Sequence, residues 1–520
     1  MQLTRKEFFD LAARGAAGAA ALPALASAAE LGAAEMVEQA PKTSRPPTTG
    51  VTEQVVGFIT AARLETMPEA VVNAGKRCLV DGFGVVLAGS ITPGSQIIRE
   101  YVKNVAGRRD ASVLGAGRIK APAELTALVN GAYGHAMDFD DTQLSTTPDR
   151  TYGLLTHPTI PALASALAVA DTLGASGAQF LEAFLTGFEV ECKISEAINP
   201  DHYNKGFHST GTIGTFAAAA ATAKLLKMDA KAVAHAIAIA GSLSAGIRVN
   251  FGTMTKPLHA GRAAQNGVFA ALLASKGFTG GDDGLDGPWG YFQVAGGGAD
   301  ADRIAGVLGA PYTIISPGIS VKPYPCGVLS HPGMDAMLKL VKDHDITPDQ
   351  VKGVVFRAGS NILEPLRYKT AKTELEAKFC IPFLMTSMIL RRKAGIREFT
   401  DEFVSSDSVQ RMMPLVETKF DPEIEAKGFD KIRCVVEVSL KDGRSFVQAS
   451  DDKYRGGPDR PFTMAELHEK FSDCASLTLT QAGIKQSLAL IETVDRLKSV
   501  RELVAAMTPA AAGSTSASRN

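Results

Sequence analysis

Nine consecutive residues concentrate the titratable chemistry of this chain. Gly134-His135-Ala136-Met137-Asp138-Phe139-Asp140-Asp141-Thr142 carries three carboxylates, a histidine and a hydroxyl, directly after an apolar helical run. On a continued helix, His135, Asp138, Asp141 and Thr142 share one face, at spacings of three and four. Carboxylates crowded together raise one another's pKa, which would suit Asp138 to general-base work near neutral pH. The same residues also read as a helix end with a solvated acidic terminus.

Four further segments offer functional groups. His157-Pro158 follows after the irregular stretch 143–156. Gly206-Phe207-His208-Ser209-Thr210-Gly211-Thr212 sets a histidine and three hydroxyls ahead of a long helical run, where free N–H groups favour anions. Thr253–Arg262 holds Lys256, His259 and Arg262 at the start of another. Val321-Lys322-Pro323-Tyr324-Pro325-Cys326-Gly327 is a rigid loop offering one cation. Taken singly, a histidine is more often a hydrogen-bonded structural residue than a catalyst, and a lysine a solvated surface group. Cys326 has no base nearby in sequence and reads as structural. Gly115-Ala116-Gly117 lacks the third glycine of a dinucleotide loop.

These groups need a large frame, and 520 residues can bury a sizeable core in about two domains. Lys and Arg total 54 against 55 Asp and Glu, so no basic excess points to nucleic acid. The six cysteines, Cys78, Cys192, Cys326, Cys380, Cys434 and Cys474, form no CxxC pair. That spacing speaks against a thiolate zinc site, an iron–sulfur cluster or a disulfide-stapled fold. No metal is expected, and no apolar run reaches the length of a membrane span.

The first 28 residues read as an export signal. Arg5-Lys6-Glu7-Phe8-Phe9 precedes an Ala/Gly stretch that ends in the AxA triplet Ala26-Ser27-Ala28. The pattern resembles a twin-arginine signal with Lys6 in place of the second arginine, which implies a periplasmic protein, or a cytoplasmic one if the signal is unused. Residues 29–50 form a linker rich in Ala, Thr and Pro. From Val51 to about Lys276 the pattern is helical, with Pro68, Pro122 and Pro158 at helix starts and Ser176 with Gln179 as a capping box. Thr215–Leu226 and Ala230–Ala245 have few polar positions and read as buried helices. Strand signals come later: Val351–Phe356, then Cys434–Leu440 and Ser445–Ala449 around an Asp442-Gly443 turn. Helical patterns at 328–343 and 372–391 lie among them. Thr463 with Glu466 caps a return to helix, and the tail from Pro509 is low in complexity. The fold expected is mainly α: a helical domain of two segments, 51–311 and 456–508, with an α+β lid, 312–455, inserted, and a disordered tail, 509–520.

The ordered set GHAMDFDDT, HP, GFHSTGTIGTFAAAAATAKLL, TKPLHAGRAAQNG, GFTG, KPYPCG and SHPGMDA closely resembles the MmgE/PrpD family, from about Val51 to Thr508. That family includes 2-methylcitrate dehydratase, cis-aconitate decarboxylase and iminodisuccinate epimerase. The resemblance implies the same two-part architecture, a homodimer, no metal or organic cofactor, and an active site in the cleft between helical domain and lid. Carried over residue by residue, it implies catalytic roles for Asp138, Thr142, His157 and His208. Lys256, His259 and Lys322 would bind substrate, and Tyr368 is a looser match to the family's lid tyrosine. In cis-aconitate decarboxylase a histidine follows the cysteine of the KPYPC motif; here Gly327 stands there.

The chemistry implied is carbanion chemistry on a small polycarboxylate. Lys256 and Lys322 would hold carboxylates and stabilise the charge that grows as a proton leaves the adjacent carbon. Asp138, His157 or His208 would take that proton, and another of them would protonate a leaving hydroxyl. Water loss makes a lyase of the 2-methylcitrate dehydratase type. Reprotonation from the opposite face makes an epimerase, and a related di- or tricarboxylate could instead be decarboxylated. A polycarboxylate-binding protein without turnover is a further reading.

Overall fold

A computed structural model of the chain describes residues 49–115, 117–145, 147 and 156–509. The export-signal segment, nearly all of the linker and the tail beyond residue 509 lie outside the described residues.

The first core is helical. Helices α1 (Val51–Ala61), α2 (Glu69–Gly89) and α3 (Pro93–Val105) lead to α4 (Ala123–Ala136). Then come α5 (Thr159–Leu173), α6 (Gly177–Ile198), α7 (Ser209–Leu225), α8 (Ala230–Leu243) and α9 (Thr255–Ala274). Pro68, Pro122 and Pro158 occupy the N-cap positions of α2, α4 and α5, where the missing N–H costs nothing. The Ser176–Gln179 capping box opens α6. Small residues let these helices touch along their backbones. A Cβ on Gly261 of α9 would lie 2.3 Å from the Leu128 carbonyl of α4, and one on Gly267 would lie 2.4 Å from the Thr215 carbonyl of α7. This close approach sets the start of α9, with Lys256, against the end of α4. α7 is buried almost all round, as its composition suggests. α8 is not: only Val233, His235, Ala236, Ile237 and Ala240 are buried. Apolar atoms also make up much of a folded protein's surface, and alanine exposes few of them, so an Ala-rich run does not report burial by itself.

A second core gathers residues from Tyr324 to Tyr454, joined by Leu144 and Phe251 from earlier in the chain. Its sheet comprises β1 (Val351–Ala358), β2 (Val416–Phe420), β3 (Cys434–Leu440) and β4 (Ser445–Ala449), in the order β2-β1-β3-β4. β1 pairs parallel with β2 and antiparallel with β3. β3 and β4 form the expected hairpin, whose turn needs the left-handed φ of 92° at Gly443. Helices α10 (His331–Asp343) and α11 (Ile381–Arg391) belong to the same core. The helical pattern over 372–391 is broken. A single turn, Glu374–Ala377, stops before α11 because Cys380 is extended and Pro382 can donate no hydrogen bond. The break leaves the Lys378 carbonyl free to accept from the Gly327 N–H at 3.0 Å.

After the second core the chain returns to the first. Thr463 and Glu466 close the capping box of α12 (Met464–Ala475), which is followed by α13 (Gln481–Glu492). Side chains from Phe462 to Met507 pack into the first core. Lys470 of α12 is buried, with Nζ 2.6 Å from Asp81 Oδ1 and donating to the Phe139 carbonyl at 2.8 Å. It thereby ties the return segment to the acidic turn that follows α4. No single described helix is long and apolar enough to cross a membrane; α2 and α3 pass that test only together, across a bend of 84°.

Removing one partner of a buried pair leaves the other charge uncompensated, at about 3–5 kcal/mol. Lys470→Met should therefore lower the unfolding free energy by about that amount in denaturant titrations. A loss of under about 1 kcal/mol would show that the clamp is not needed.

Candidate active site

α4 stops at Ala136, and Asp138 adopts a left-handed φ of 50°. For a non-glycine residue that conformation costs about 1–3 kcal/mol and persists only where its surroundings enforce it. Lys322 supplies the enforcement: its Nζ donates to both the Asp138 backbone carbonyl and Oδ1, each at 2.9 Å. The shared helix face expected for His135, Asp138, Asp141 and Thr142 therefore does not form. The chain reverses and sends each acidic side chain to a different partner. All three carboxylates are buried, so the reading as a solvated terminus fails as well.

Asp141 accepts from the N–H and hydroxyl of Thr159 at the start of α5. Burial, with the nearby Asp81 charge, pushes its carboxyl up to about 7. Asp140 accepts from His135 Nδ1 at 2.8 Å; against the upward push of burial, the His135 and His157 rings beside it and that hydrogen bond hold it below its ordinary value. Asp138 Oδ1 lies 2.8 Å from Lys256 Nζ and 2.9 Å from Lys322 Nζ. Burial pushes Asp138 up, but the two ammoniums outweigh it and keep the carboxyl well below the carboxylate range. The expectation of a raised Asp138 pKa is thus overturned. Its sequence neighbours Asp140 and Asp141 are turned to other partners, and two cations from distant segments take their place.

The histidines form a neutral group. His157 Nδ1 is 2.8 Å from the Asp141 carbonyl and 3.2 Å from Thr142 Oγ1. A carbonyl can only accept, so the Nδ1 of His157 carries the proton and Nε2 keeps its lone pair. His208 is the N-cap residue of α7; its Nδ1 is 3.0 Å from His259 Nδ1, and its buried Nε2 has no partner among the described residues. Burial lowers both His157 and His208 well below the usual histidine value, helped by nearby cations. Burial also lowers His259, to about 4. Lys256 is lowered by burial too, against the pull of Asp138.

Asp138, Thr142, His157, His208, Lys256 and Lys322 line one cavity. Phe251, Val328, Leu329, Leu366 and Phe379 supply its apolar wall. Thr142 exchanges backbone hydrogen bonds with Ser320 at 2.8 and 2.9 Å, which brings the Lys322 loop alongside the acidic turn. His259 and Tyr368 are not among the lining residues. His259 backs His208, and the Tyr368 hydroxyl donates to the Phe251 carbonyl at 3.3 Å, behind the wall. Gly327 does line the cavity, and a Cβ there would lie 2.6 Å from Leu366 Cδ2. Cys326 is buried, its thiol pushed up to about 12, which suits the structural reading.

Sequence reasoning passed over His135 and Asp140 as members of the site. His135 Nε2 is 2.7 Å from Lys256 Nζ. The signal was present in the acidic motif, but a separation of five is not a helical neighbour spacing, and only the reversal at Asp138 brings the pair together. The apolar wall, drawn from four distant segments, carried no signal. Donor atoms of His135, Asp138 and His157 lie within 4.8 Å of one another, close enough to hold a metal ion. Lys256 Nζ contacts two of these three residues, so an ammonium group already stands among the donors.

The chain belongs to the MmgE/PrpD family. The family's N-terminal domain model matches residues 53–304 and its C-terminal domain model matches 324–496. Among individual relatives, it is 27% identical over 463 residues to the cis-aconitate decarboxylase of Homo sapiens, covering 86% of this chain and 92% of that one. To the cis-aconitate decarboxylase-like protein oryM of Aspergillus oryzae it is 25% identical over 487 residues, covering 89% and 98%.

If a neutral histidine is the base, the pH profile follows. The imidazole works unprotonated, and burial lowers its pKa below the ordinary value of about 6.5. The plateau of kcat/KM should then extend below pH 6.5, with loss of activity only at more acid pH. On the alkaline side, the lowered Lys256 should end the plateau below its ordinary value of about 10.4. An acid limb centred at or above about pH 6.5 would contradict this assignment.

Proposed function

We propose that this protein is a cofactor-independent lyase of the hydratase/dehydratase type. It acts on a small di- or tricarboxylate by abstracting a proton next to a carboxylate. One observation carries the reading: two buried ammoniums share a single carboxylate oxygen at 2.8 and 2.9 Å, in a cavity that also holds two neutral histidines. Two cations and one anion leave a net positive site, which an incoming carboxylate neutralises. As the proton leaves the α-carbon, negative charge moves onto that carboxylate. Lys256 and Lys322 stabilise it there without reorganising. Nε2 of His157 or His208 takes the proton, and the C–H electron pair becomes the new C=C bond. The C–O bond breaks, and the leaving hydroxide departs as water with a proton from the imidazolium or from Lys256. Asp138 serves as counter-ion. Its Oδ2, buried without a partner among the described residues, is an acceptor for a substrate hydroxyl.

Decarboxylation is the second reading, supported by the names of the relatives. Against it stands Gly327, packed against Leu366 where the decarboxylase motif carries a histidine. Epimerisation would use the same groups with reprotonation from the opposite face. The proposal extends to place and assembly. The Arg5–Phe9 segment supports export to the periplasm, and the family resemblance supports a homodimer. N-terminal sequencing of periplasmic fractions and sedimentation of the purified protein test these two points.

Incubation with a panel of hydroxy and amino polycarboxylates in deuterated water, followed by NMR, reads which C–H exchanges and whether water or carbon dioxide is lost. The dehydratase reading expects deuterium at the carbon next to a carboxylate, together with loss of water. Carbon dioxide release would move the assignment to decarboxylation, and binding without exchange would refute an enzyme. Lys256→Met or Lys322→Met should cost about 1.5–3 kcal/mol in kcat/KM, the scale of one charge-assisted contact. Undiminished kcat/KM in either variant would remove that lysine from the site.

A further inference from the structure

Five buried groups form one continuous chain of polar contacts: Asp140, His135, Lys256, Asp138 and Lys322. His135 Nδ1 is 3.0 and 2.8 Å from the two Asp140 oxygens, and its Nε2 is 2.7 Å from Lys256 Nζ. Lys256 Nζ continues to Asp138 Oδ1 at 2.8 Å, and Lys322 Nζ reaches the same oxygen at 2.9 Å. An ammonium has three donors and no acceptor, and an ionised carboxylate only accepts. Between them, only one form of His135 satisfies both ends: neutral, with the proton on Nδ1. In any other form an N–H would face the Lys256 ammonium across 2.7 Å.

We propose that Asp140 and His135 are positioning residues for Lys256, acting through the tautomer of His135. Asp140 fixes the proton on Nδ1, and Nε2 then accepts one N–H of Lys256. Asp138 accepts a second, so the third is left for the substrate. The inference rests on the proposed function only in assigning that third N–H to substrate. The other groups around the His135 ring leave its tautomer to Asp140. His157 and His208 meet it through their rings, at centroid distances of 4.8 and 5.4 Å. Asp140 also lies 3.5 Å from His157 Nδ1, but that nitrogen is already fixed by the Asp141 carbonyl.

The test is a double-mutant cycle with a spectroscopic readout. Asp140→Asn offers an amide N–H to Nδ1 and so favours the proton on Nε2. In a serine protease triad the equivalent change is severely damaging because it gives the wrong tautomer. Here it should lower kcat/KM by about 10²-fold or more. His135→Gln retains a carbonyl acceptor for Lys256 and should stay within about tenfold of wild type, while His135→Leu should not. In the His135→Gln background, Asp140→Asn should cost less than about threefold, because there is no tautomer left to disturb. Equal cost in both backgrounds would overturn the proposal. Nitrogen-15 NMR of the wild-type protein, with the His135 signals assigned by their loss in His135→Gln, reads the tautomer without any assay. The Nδ1–H neutral form at pH 7 supports the proposal; imidazolium or Nε2–H refutes it. Should that form be found while Lys256→Met keeps full activity, the proposed function fails and the positioning of Lys256 stands.

Discussion

Everything in this site depends on one carboxylate oxygen shared by two ammoniums. Two unit charges about 4 Å apart interact by about 4 kcal/mol at an effective dielectric of about 20. Lys256 and Lys322, both touching Asp138 Oδ1, would repel each other on that scale without the anion between them. The pair of attractions at closer range outweighs the one repulsion and leaves a net positive centre. The same balance explains why Asp138 is ionised despite burial. In the proposed function, an incoming carboxylate relieves the repulsion that remains.

The fold holds these three groups from three directions. Asp138 sits on a left-handed reversal after α4, Lys256 opens α9, and Lys322 lies where the chain passes from the first core to the second. Glycines at 261 and 267 let α9 lie close against α4 and α7, which fixes where Lys256 begins. The Thr142–Ser320 backbone pair does the same for Lys322. Lys470 holds the far end of the turn through the Phe139 carbonyl. The strain at Asp138 is thus enforced by contacts from both cores and from the return segment.

Much of this could be read from residue order, and the reasons differ by element. The β3–β4 hairpin was legible because Asp442-Gly443 and strict alternation are local signals. The capping boxes at Ser176 and Thr463 were legible for the same reason. The cluster of Asp138, Thr142, His157, His208, Lys256 and Lys322 came from motif resemblance, and the structure brings all six to one cavity. What local reasoning missed is what long-range contacts decide. Crowded aspartates suggested a raised pKa at Asp138, but neighbours 118 and 184 residues away in sequence reverse the sign. His135 and Asp140 were in view yet unassigned, because their pairing requires a reversal that helical periodicity does not anticipate. Tyr368 and His259, expected to bind substrate, do not line the cavity: His259 contacts His208, and Tyr368 donates to the Phe251 carbonyl.

In the proposed mechanism Asp138 stays an ionised counter-ion and a neutral histidine takes the proton. Carbon-13 NMR of aspartate-labelled protein, with the Asp138 signal identified by its loss in Asp138→Asn, measures this directly. The account predicts an ionised carboxylate at Asp138 with no titration between about pH 4 and pH 8. A carboxyl at this position that titrates near neutral pH would contradict the account and return Asp138 to the role of base.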